Sequence, residues 1–87
     1  MTNHPFNGWK YILFTDTDGG DAEIALPFHP MITHKDFAKT QLPRRPVSAG
    51  FIRVFGDHGD VHIECYGSSD SLGIRSNKGD VDFFEGA

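Results

Sequence analysis

The densest gathering of chemically capable side chains is Asp57-His58-Gly59-Asp60-Val61-His62-Ile63-Glu64-Cys65. Two imidazoles, His58 and His62, and two carboxylates, Asp60 and Glu64, fall within seven residues. Imidazole nitrogens and carboxylate oxygens are the ligands of zinc and related divalent ions. These four residues are therefore the candidate metal ligands, and they would suit a divalent-metal-binding protein or a small metal-dependent hydrolase. The spacing matches no strong motif. Residues two apart on a straight strand stand roughly 6–7 Å apart, so the set converges only if a turn folds His58 back toward His62. The competing reading is an amphipathic strand with a polar solvent face. Alternation sets Val61, Ile63 and Cys65 on one side and His62 and Glu64 on the other. That separates Cys65 from the imidazole that would activate it, so Cys65 reads as a small core residue.

A second constellation is basic. Arg44 and Arg45 are held between Pro43 and Pro46, and Lys35 and Lys39 lie on the helix expected just before them. Together they are the candidate surface for an anion or an acidic partner. His29 and His34 could add to a pocket at the helix start, although the positive end of a helix disfavours a protonated imidazole there. Asp16-Thr17-Asp18-Gly19-Gly20-Asp21 has the look of a calcium loop, but its glycine comes too early and its fifth position lacks an acid, so it reads as a hairpin turn. Ser68, Ser69 and Ser71 lie in a glycine-bounded loop that could cradle an anion on its amides, which Asp70 opposes. No nucleophile elbow, phosphate-binding loop or dinucleotide fingerprint is present.

The elements that must position these residues follow from periodicity. Trp9 to Thr15 reads as a strand with Trp9, Tyr11 and Leu13 on one face and Lys10, Ile12 and Phe14 on the other. Apolar groups on both faces predict a central strand. Ala22 to Phe28 returns as the second arm of a hairpin, at an edge because Pro27 lacks an N–H. Thr33 and Asp36 form a capping box, with Ile32 and Phe37 as its hydrophobic staple, so a helix starts near His34. It ends by about Gln41 because Pro43 disfavours helical geometry at Leu42. Phe37 and Ala38 face the core. Pro43-Arg44-Arg45-Pro46 is a stiff connector. Val47 to Phe55 is a strand whose Gly50 marks a bulge or a close backbone approach. After a turn at residues 56–60, Val61 to Tyr66 returns. Gly67 to Ser71 is a loop, Leu72 to Arg75 a short edge strand, and Asp80 to Glu85 a terminal helical turn anchored by Val81, Phe83 and Phe84.

Eighty-seven residues make one domain, with residues 1–8 as a loose start. The apolar share of 38% and charged share of 23% belong to a folded chain. No stretch approaches the ~18 apolar residues of a membrane span, and the N-terminus lacks the basic and apolar regions of a signal peptide. One cysteine excludes an internal disulfide, and with no targeting segment the expected location is the cytoplasm. The net charge of −4 conceals a basic middle, residues 29–53, between acidic flanks. An acidic whole disfavours nucleic acid as a partner. Opposite-charge segments and exposed strand edges favour self-association.

Pro46-Val47-Ser48-Ala49-Gly50-Phe51 and Cys65-Tyr66-Gly67-Ser68-Ser69-Asp70-Ser71-Leu72-Gly73, with Tyr11-Ile12-Leu13-Phe14 and Thr33-His34, resemble a pattern in short bacterial and phage-associated proteins. The resemblance covers most of the chain. It implies an accessory or mobile-element protein and no particular activity.

The sequence thus predicts an α+β fold: a small antiparallel sheet of about four strands in two hairpins, one short helix packed on it, and a C-terminal helical turn. The expected function is a small cytoplasmic, non-catalytic interaction module that acts as a homodimer or docks a protein partner through Lys35, Lys39, Arg44 and Arg45. No cofactor is expected beyond a divalent metal in the alternative reading.

Overall fold

Both faces of Tyr11 to Phe14 carry apolar side chains, and the structure buries both. The computed structural model describes residues 7–16, 21–57 and 60–85. Strands β1 (Lys10–Thr15), β2 (Ile24–Phe28), β3 (Arg45–Asp57) and β4 (Asp60–Tyr66) form one antiparallel sheet in the order β2-β1-β3-β4. Ile12 and Phe14 enter a core on one face with Phe28, Ala38 and Ala49. Tyr11 and Leu13 enter a second core on the other face with Ile52 and Val54. The two hairpins and the central strand are as the sequence predicts.

Helix α1 (His34–Thr40) lies over the first face. Thr33 caps it, its Oγ1 accepting from the Asp36 amide at 3.1 Å. The expected staple is not its main anchor: Ile32 is 41% exposed, while Phe37 stacks on Phe28 with ring centroids 4.2 Å apart. Leu72 and Ile74 complete this layer. The opposite face is closed by the C-terminal segment, a 3-10 turn (Lys78–Val81) running into α2 (Asp82–Glu85). Of its expected anchors Phe84 packs edge-on against Tyr11 at 5.6 Å, whereas Phe83 is exposed.

Several boundaries move. Arg45 and Pro46 belong to β3 rather than to a connector, and the register shifts there: Leu13 pairs with Ser48 but Phe14 with Pro46. A bulge is where a strand tolerates proline, because the ladder is already interrupted. Gly50 lies inside β3, and a Cβ there would stand under the van der Waals limit from the Tyr66 carbonyl oxygen. Beyond Tyr66, Gly67 at φ +81° turns the chain. Ser68–Ser69, expected in a loop, forms β5 instead and pairs with β6 (Ile74–Arg75) as a separate two-stranded ribbon beside β3. Residues 7 and 8 are tied to β3. The Gly8 amide donates to the Ile52 carbonyl at 2.8 Å and Asn7 Oδ1 accepts from the Val54 amide at 2.9 Å. Residues 1–6 lie outside the described residues. Among the described residues no helix is long and apolar enough to cross a membrane.

Candidate functional site

The sequence-predicted metal ligands are only partly placed. His58 lies outside the described residues, as does the side chain of Asp60. His62 and Glu64 are exposed on the α1 face of β4, opposite Phe55 and Arg53. The Glu64 carboxylate accepts from Arg53 Nη1 at 3.2 Å, and His62 lies beside the Phe55 ring at 5.6 Å. No group of three or more His, Cys, Asp or Glu gathers among the described residues. Cys65 turns to the second core and is half-buried there.

The basic residues do not act as one free patch. Lys35 and Lys39 are exposed on α1. Arg44, expected to be exposed, is partly buried: its Nε lies 3.4 Å from Asp16 Oδ1 and its Nη1 donates to Gln41 Oε1 at 3.3 Å. Its charge is therefore partly committed inside the chain. Arg45 is exposed at the start of β3.

Two features go beyond the sequence reading. The first is the burial of His34, which was expected to add to a pocket at the helix start and is only 4% exposed. Its ring stands edge-on between Phe28 at 5.4 Å and Phe51 at 5.6 Å, and its Nε2 lies 2.9 Å from the Gly50 carbonyl oxygen. A carbonyl only accepts, so Nε2 carries the proton and Nδ1 is the free lone pair. Burial lowers the His34 pKa, against the pull of the Gly50 hydrogen bond, and the nearby Lys10 charge lowers it further. The signal was present: His34, Phe37 and Ala38 occupy positions i, i+3 and i+4 of one helix face. His34 opens on a cleft of about 500 Å³ that also meets Lys10, Phe51, Tyr66 and Asp70. Ser71 ties the far wall to α1, its Oγ accepting from the Lys35 amide at 3.2 Å.

The second is Asp80, 3% exposed. Its carboxylate accepts from Tyr11 Oη at 2.5 Å, Ser48 Oγ at 2.9 Å and the Asn77 amide at 2.9 Å. Desolvation, then the bond to Asp80 and its charge, push the Tyr11 phenol above its ordinary pKa, so it remains a donor. All partners are satisfied and the cluster is sealed, which makes it a latch between the sheet and the C-terminal turn rather than a reacting centre.

The sheet itself is left unfinished on one side. Phe55 is 46% and Tyr66 37% exposed, and the Arg53 guanidinium sits 4.6 Å over the Tyr66 ring. Strand β4 is terminal in the sheet order, with no further strand along its outer edge among the described residues. No protein-family model, no curated protein and no solved structure matches this chain.

Proposed function

We propose that the protein is a small, non-catalytic interaction module that pairs with a second copy of itself along strand β4. The observation that carries this reading is the contrast between the two sheet edges. Edge strands attract other chains, and proteins blunt them with proline, lysine, bulges or short length. The β2 edge is five residues long and contains Pro27. The β4 edge is seven residues, Asp-Val-His-Ile-Glu-Cys-Tyr, with no proline, lysine or glycine, and its pairing with β3 runs without a register shift. An antiparallel two-fold pairing centred on Ile63 sets His62 opposite Glu64 of the second copy, twice per dimer. An imidazole N–H then faces a carboxylate across the seam, whereas like charges at the same positions destabilise a ladder. The exposed Tyr66 lies on this edge strand and the exposed Phe55 on β3 beside it.

Native mass spectrometry with sedimentation analysis tests the reading. The wild-type protein is expected at the dimer mass without bound ion. His62→Glu places a carboxylate opposite Glu64 of the second copy and is expected to weaken the dimer about tenfold, ~1.4 kcal/mol. The double variant His62→Glu/Glu64→Lys sets opposite charges across the same seam and is expected to recover it. A monomeric wild type, or a double variant no tighter than the single one, overturns β4 pairing. A dimer weakened only by Lys35→Glu/Lys39→Glu or Arg45→Glu moves the interface to the basic surface. A stoichiometric divalent ion lost on His62→Ala moves the function to the metal reading.

A further inference from the structure

We infer that the cleft between the start of α1 and the Gly67–Ser71 segment is a binding site for a small ammonium carboxylate of the α-amino-acid class. Three groups define what fits. Lys10 donates one N–H from its ammonium to the Ile32 carbonyl at 3.0 Å, which anchors it and leaves two N–H groups for an anion. His34 is more than nine-tenths buried, and its only hydrogen bond among the described residues uses Nε2. No buried side-chain nitrogen or oxygen of the described residues lacks a partner, so Nδ1 reaches solvent, and the cleft that His34 lines supplies it. Asp70, an exposed acid, lines the same cleft.

A simple anion meets Lys10 but is repelled by Asp70. A simple cation meets Asp70 but is repelled by Lys10. A molecule with a carboxylate for Lys10 and an N–H donor group for His34 Nδ1 and Asp70 satisfies all three. The rings of Phe51 and Tyr66 line the remaining wall and take an apolar side chain. The walls are held from three directions. Phe28 and Phe51 fix the His34 ring, Ser71 fixes the loop to α1, and Gly67 fixes the turn at a φ of +81°. Burial and the Lys10 charge favour neutral His34, the form with a lone pair to offer. The site lies within one copy and does not depend on pairing along β4.

The test is an NMR titration that reads the His34 ring resonances and the Asp70 and Ser71 amides. The probes are L-phenylalanine, L-leucine and L-serine. The one-charge controls are 3-phenylpropionate, which lacks the amine, and phenethylamine, which lacks the carboxylate. At least one amino acid is expected to shift His34 and Asp70 together. Both controls are expected to bind about tenfold or more weakly, because each leaves a charged group of the site unmatched. Lys10→Met and Asp70→Asn, both at positions that leave the cores intact, are each expected to reduce amino-acid binding by a similar factor. No shift at millimolar concentration with any of the three amino acids overturns the inference. So does a control that binds as tightly as the amino acid, or binding that survives both substitutions.

Discussion

At the scale of single residues, two buried polar groups, His34 and Asp80, carry the clearest consequences. His34 is neutral in the fold because burial, aided by Lys10, lowers its pKa. The unfolded chain holds its imidazole at about 6.5, so between that value and the folded value the unfolded state binds more protons. Stability from this site is therefore full above the ordinary histidine range. It falls as pH drops through that range and levels off below the folded pKa. The NMR titration midpoint of the His34 ring is expected below 6.5, and a midpoint at or above that value contradicts the burial argument. Asp80 contributes through hydrogen bonds, its carboxylate accepting from three donors. Tyr11→Phe removes one hydrogen bond to a charged group and is expected to cost about 1.5–3 kcal/mol in urea denaturation. Asp80→Ala is expected to cost more than either Tyr11→Phe or Ser48→Ala, since it strands all three donors. Equal, small losses for the three variants would show that water takes the carboxylate's place.

At the scale of elements, what matters is where strands and helix stop. Thr33 caps α1 through the Asp36 amide, and Thr33→Ala is expected to cost about 1 kcal/mol in thermal or urea unfolding. This part was legible in the sequence because capping chemistry is local: the donor, acceptor and spacing all lie within four residues. The same is true of the two hairpins and of Pro27 at an edge. The start of β3 was not legible. Two prolines around two arginines read as a connector, and only pairing with Phe14 and Thr15 across the register shift makes Arg45 and Pro46 part of a strand. Ser68–Ser69 is a similar case, since serines carry no strand signal and their pairing to Ile74–Arg75 is decided by the turn between them. Gly50 was legible as a close approach, but its neighbour, the Tyr66 carbonyl, was not. Gly50→Ala forces β3 and the end of β4 apart and is expected to destabilise by about 1–3 kcal/mol. An unchanged melting temperature would mean that this contact relaxes without loss.

At the scale of the whole molecule, a four-stranded sheet lies between α1 on one side and the C-terminal turn on the other. A chain that stops after Ser76 loses Asp80 and Phe84 together, which uncovers Tyr11 and removes the carboxylate that its hydroxyl bonds. Its urea transition is expected to lose cooperativity, whereas independent stability of the sheet and α1 would preserve a sharp transition. The sequence by itself determined the class of fold, the central place of β1 and the cap of α1, because hydrophobic periodicity and capping act over a few neighbouring residues. It also placed Glu64 and His62 on a strand face apart from Cys65, since alternation is a property of the strand alone. Only the tertiary structure decided that His34 is buried beside Gly50, that Asp80 joins Tyr11 and Ser48, and that Arg44 spends its charge on Asp16. Those partners stand 16, 69, 32 and 28 residues apart in the chain. Their meeting depends on strand order and register, and no local pattern encodes either.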